Sequence, residues 1–155
     1  MPDPVEELLE WHREEVSAQA MFEELALASE DAERAHKWRA LARLEAHVAD
    51  RLRAALAKRG VAVPSPDDDR ARRVQAGNPY LKLSWREAME DMRPWIARYV
   101  CEFEAAESRM PADLLPLARF VTAHERALLD FVTRELHRGG YDSLAAVQQM
   151  FDTAQ

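Results

Sequence analysis

Among its 155 residues the chain has one cysteine and four glycines, and it has no long apolar run. Each shortage removes a class of protein. A lone Cys101 cannot form an internal disulfide framework and fits a reducing compartment. So little glycine suits helices better than a turn-rich sheet, and no glycine-rich phosphate loop, Cys-x-x-Cys or Ser/His/Asp constellation occurs. No apolar stretch approaches the roughly 20 residues of a membrane span. The opening MPDPVEELLEWHREE is acidic and lacks the basic flank and apolar run of a signal peptide, so a cytoplasmic location is expected. Basic residues are outnumbered 21 to 28, a net charge of −7. Attraction to nucleic acid or to an anionic membrane is therefore not expected.

What is present is 48% hydrophobic and 32% charged residues, arranged with helical period. This length suits one domain with a real core, and the expectation is a single all-α domain over residues 1–155. Trp38, Leu41, Leu44, Val48, Leu52 and Leu56 recur at spacings of three and four, the buried face of an amphipathic helix. At roughly 100° per residue, Glu45 projects near the centre of that apolar arc, whereas His47 projects away from it. An acid at the middle of a buried stripe calls for a partner.

The first helix is expected from about Pro4 to Ala28, capped by Asp3, with Pro4, Glu6 and Glu7 favouring its first turn. Leu8, Trp11, Ala18, Phe22 and Leu25 make its apolar arc, with Glu15 at the centre and Glu14 and Glu24 towards the margins. Ser29-Glu30-Asp31 is a short link, and the second helix runs from about Ala32 to Arg59 and stops at Gly60. Helices this long with so short a link form an antiparallel hairpin. With the turn near residue 30, Glu15 falls level with residues 45 and 46, both roughly 20 Å from the turn at 1.5 Å per residue. Two stripe-centred acids thus meet at one height.

Residues 61–83, punctuated by Pro64, Pro66, Gly77 and Pro79, read as a long connection with a short helix over about Asp67–Val74. Its length suits a crossover along a bundle, or a lid over one end. Asp67-Asp68-Asp69 beside Arg70, Arg72 and Arg73 reads as solvated charge at a helix start. Ser84-Trp85-Arg86-Glu87 is a capping box for a third long helix ending near Arg109. Trp85, Met89, Met92, Ile96, Tyr99 and Phe103 form its buried face, and Pro94 either kinks or restarts it. Cys101 points away from that stripe. A fourth helix is expected from about Ala112 to Arg138, ended by Gly139-Gly140. Leu114, Leu117, Val121, Leu128, Phe131 and Val132 face inward there, with His124 and Glu125 flanking the stripe and Glu135 close to it. Asp142 can cap a short last helix, SLAAVQQMF, closing one end. LARLEAH and ARFVTAH are faintly alike, as two copies of a hairpin would be. The remaining histidines, His12, His36, His47 and His137, read as surface or end residues.

Helix, short turn, helix, long crossover, helix, short turn, helix, with polar residues inward at mid-height, resembles the ferritin-like superfamily over about residues 4–138. The blocks HREEVSAQAMFEEL, KWRALARLE and HERALLDFVTREL are similar to a narrower bacterial branch of it with an incomplete ligand set. In the superfamily the four helices give a Glu, a Glu-x-x-His, a Glu and a second Glu-x-x-His, which together hold two iron or manganese ions. By that resemblance Glu15 matches the first Glu and Glu45 the Glu of the first Glu-x-x-His, but Val48 stands at its His. The third helix offers Met92, Trp95 and Ile96 where its acid belongs. In the fourth, His124 suits the His position, Val121 stands at the Glu position, and Glu125 is adjacent and can substitute with a small rotation. Three of six ligand positions are matched.

Two readings follow. In the first, one iron- or manganese-type ion is held by Glu15, Glu45 and His124, with Glu125 as a further candidate, for redox or oxygen chemistry. In the second, the metals are lost, and the bundle serves as a small-ligand binding or protein-interaction module. Glu15 and Glu45 then share a proton or pair with Arg13, Arg43 or Arg51, and His124 is a hydrogen-bonded core residue. A small apolar ligand in the core and a homodimer through a hairpin face are the partners expected. Whether the protein is an enzyme is left open by these residues.

Overall fold

The computed structural model describes residues 2–137 and 139–152. Among them there are six α-helices, one 3-10 turn and no strand. They fall into two compact units that divide between Leu81 and Lys82. No helix among the described residues is long and apolar enough to cross a membrane.

In the first unit, α1 (Pro4–Ala28) and α2 (Ala32–Lys58) form the expected hairpin. Both starts are set by a capping carboxylate. Asp3 accepts from the Val5 N–H at 2.8 Å and Asp31 from the Arg34 N–H at 2.9 Å, satisfying backbone donors that have no partner within the helix. The end of α2 is a Schellman turn. Val61 N–H bonds to the Leu56 carbonyl and Gly60 N–H to that of Ala57, with Gly60 at φ +72, a conformation that costs glycine little.

Two contacts show that the helices run antiparallel. Phe22 stacks on Trp38 with centroids 5.7 Å apart, and His12 meets Arg53 near the other end. Leu8, Phe22, Leu41, Leu44, Val48, Leu52 and Leu56 are nearly inaccessible to water. Each such side chain contributes about 1.5–3 kcal/mol of hydrophobic stabilisation.

The connection after α2 contains α3 (Pro66–Ala76), longer than the segment expected, with Ser65 as its cap and a 3-10 turn at Pro79–Lys82 after it. α3 packs on α1. Here the structure corrects the reading of Asp67–Asp69 as solvated charge: Asp67 and Asp68 are exposed, but Asp69 is buried, because the third residue of the run faces α1 and not water.

In the second unit, Ser84 accepts from the Glu87 N–H at 3.1 Å and opens α4 (Trp85–Glu107). The helix is continuous through Pro94 and does not restart there. α5 (Leu115–His137) begins three residues later than expected. Residues 111–114 instead make a turn in which the Pro111 carbonyl accepts from Leu114 and Leu115. Pro116 then falls in the first helical turn, where its missing N–H costs nothing. Arg138, the expected last residue of this helix, lies outside the described residues.

α4 and α5 are also antiparallel. Trp85 Nε1–H donates to Glu135 at 2.8 Å near one end, while Arg126 pairs with Glu104 towards the other. Met89, Met92, Ile96, Phe103, Val121, Leu128, Phe131 and Val132 are buried, whereas Trp85, Tyr99 and Leu117 are only half-buried. α6 (Ala145–Asp152) packs on α5. Asp142, expected to cap it, instead adopts φ +54 in a turn whose carbonyl accepts from Ala145.

Candidate metal centre

The α1–α2 hairpin brings Glu15 and Glu45 together. Both are buried, at 3% and 1% exposure, and they offer carboxylate oxygens within 4.8 Å of each other. The cause is local. Glu15 sits among Leu8, Trp11 and Phe22, and Glu45 among Leu41, Leu44, Val48 and Leu52. The apolar stripes that zip the hairpin therefore carry both acids inward. Arg13, considered as a partner for them, is exposed and bound to Glu10 at 2.9 Å.

In the second unit α5 buries His124 and Glu125 as neighbours, with His124 Nε2 and Glu125 Oε1 3.6 Å apart, beyond hydrogen-bonding distance. His124 Nδ1 faces the Val121 carbonyl. A carbonyl only accepts, so Nδ1 carries the proton and Nε2 is the basic nitrogen of the neutral ring. An Nδ1–H fixed on a backbone carbonyl is the usual support of a metal-ligating histidine. Phe103 lies beside the ring, with centroids 6.5 Å apart. Glu15, Glu45 and His124 are thus three buried side chains, each offering one atom of a kind that metal ions bind. Val48 and Val121 are wholly buried. Cys101 is exposed.

One polar site was not expected. His12, read from sequence as a surface or end residue, is 2% exposed. Arg53 Nη2 lies 3.1 Å from its Nε2. Guanidinium only donates, so Nε2 accepts and the ring is neutral. Burial first, and then the Arg53 charge, lower its pKa below the ordinary 6.5, against the carboxylates of Asp69, Asp50 and Glu15, which raise it. Its signal was legible: His12 stands four residues after Leu8 and three before Glu15, on the buried arc. His47, which projects away from the apolar arc of α2, is half-buried, and burial followed by Arg51 lowers its pKa.

No family model, curated protein or solved structure matches the chain.

Proposed function

We propose that this protein is a ferritin-like helical bundle that binds one iron- or manganese-type ion through Glu15, Glu45 and His124, with Glu125 as a fourth candidate ligand. The observation that carries this reading is the buried Glu15–Glu45 pair, with oxygens within 4.8 Å. Two like charges held out of water cost several kcal/mol, and a divalent cation between them offsets that cost. The His124 tautomer, with Nδ1 facing a backbone carbonyl, supports the same reading. Two carboxylates and an imidazole leave coordination positions open, as redox or oxygen chemistry at such an ion needs. The test is metal analysis of the purified protein with titration by Mn(II) and, anaerobically, Fe(II). Stoichiometric binding that Glu45→Ala abolishes is the expected result.

A second reading is favoured by Val48 and Val121, whose burial puts hydrocarbon at two ligand positions. On it, the bundle holds no metal and works as a binding or oligomerisation module, with Glu15 and Glu45 sharing a proton. Absence of any bound Fe, Mn or Zn, with a dimer by light scattering, decides for it.

A further inference from the structure

α3 is attached to the first unit without hydrophobic packing of its own. Of its 11 residues only Asp69 is buried, and Val74, its one large aliphatic side chain, is 65% exposed. What crosses to α1 is charge. Arg70 reaches Glu23 with Nη1–Oε2 at 2.9 Å, Nη2–Oε2 at 3.0 Å and Nη2–Oε1 at 3.3 Å.

Beside that fastening, α1 and α3 flank an open groove of about 250 Å³. One side is Glu10, Arg13, Glu14 and Ser17 and the other Asp69, Arg72, Arg73 and Ala76. Both sets have the spacing i, i+3, i+4, i+7, so each is a single helix face. No side chain in the lining is a large hydrophobe. After the helix, Tyr80 is buried, and next to it Asn78 Nδ2–H donates to the Met21 carbonyl at 3.2 Å.

We propose that α3 is a strap fastened to α1 by charge, which lifts from the Glu10–Arg13–Glu14–Ser17 face while the α1–α2 hairpin stays folded. Elements with few buried apolar contacts open locally at far lower free energy than the core they cover. The Arg70–Glu23 fastening is about a third or more exposed at each partner, so salt reaches it. The Debye length falls from about 10 Å at 0.1 M to about 3 Å at 1 M ionic strength. The proposal is independent of any metal.

The test is amide hydrogen exchange of the full chain, followed by mass spectrometry at low salt and in about 1 M NaCl. Residues 66–76 are expected to exchange roughly fivefold faster in high salt, the factor that corresponds to losing one well-formed ion pair, with α1 and α2 unchanged. Glu23→Gln and Arg70→Met should each reproduce that acceleration at low salt and remove most of the salt effect. The salt series on the unaltered protein needs no variant to fold. If residues 66–76 exchange at one rate in both salts, or only together with α1 and α2, the strap is an integral part of the core and the proposal fails.

Discussion

Glu15 on α1 and Glu45 on α2 face each other inside an antiparallel hairpin, with carboxylate oxygens within 4.8 Å. If they ligate one ion, Mn(II) at a hundredfold excess over its dissociation constant should stabilise the protein by about 2.7 kcal/mol. Glu45→Gln should lose that gain. Without metal the same variant should be at least as stable as the parent, because one of two like charges is gone. Thermal unfolding with EDTA and with Mn(II) measures both effects, and a parent protein that Mn(II) leaves unshifted rules out the metal reading.

Val48 lies three residues after Glu45 and is wholly buried. Val48→His places a Glu-x-x-His pair on the buried face of α2. In EDTA the buried imidazole should cost about 1–3 kcal/mol. Added Co(II) or Mn(II) should recover most of that loss only if Glu45 is a ligand. The denaturant midpoint with and without metal is the measurement.

The His12 ring is neutral against Arg53, and its pKa lies below the ordinary 6.5. The unfolded chain therefore takes up this proton at higher pH than the folded one. The stability due to neutral His12 is complete above 6.5. It falls as pH drops below that value, and the fall ends at the folded pKa. The slope for one proton is at most about 1.4 kcal/mol per pH unit. His12→Gln should flatten the difference between denaturant midpoints at about pH 7.5 and about pH 5.

Pro94 sits ten residues into a continuous α4 and is exposed. Its ring removes one helical hydrogen bond and crowds the preceding turn. Pro94→Ala should raise stability by about 1–3 kcal/mol, less whatever the looser unfolded chain takes back. Chemical denaturation shows this directly, and a lower midpoint would mean that the surrounding packing is fitted to the bend.

The helix boundaries that were legible in the sequence are those with a local chemical signal. Asp3 and Ser84 each accept the expected cap hydrogen bond, and Gly60 ends α2 in the left-handed conformation. The inward direction of Glu15 and Glu45 was legible too, since three- and four-residue spacing assigns every position on a long helix to a face. The start of α5 was not, because Pro111 and Pro116 each permit a helical first turn and only the hydrogen bonds of residues 111–115 choose between them.

By itself, then, the sequence determined two helical hairpins, their caps and a pair of facing acids, because each follows from periodicity and short links within about 60 residues of chain. Tertiary structure alone decided what covers the polar side of α1. A segment that reads as solvated charge folds back as α3 and buries Asp69, and the Arg70 guanidinium it carries reaches Glu23 of α1. A helical period tells which face of a helix is apolar. It cannot tell that a charged face will be covered by another charged helix, because that depends on where a distant segment comes to rest.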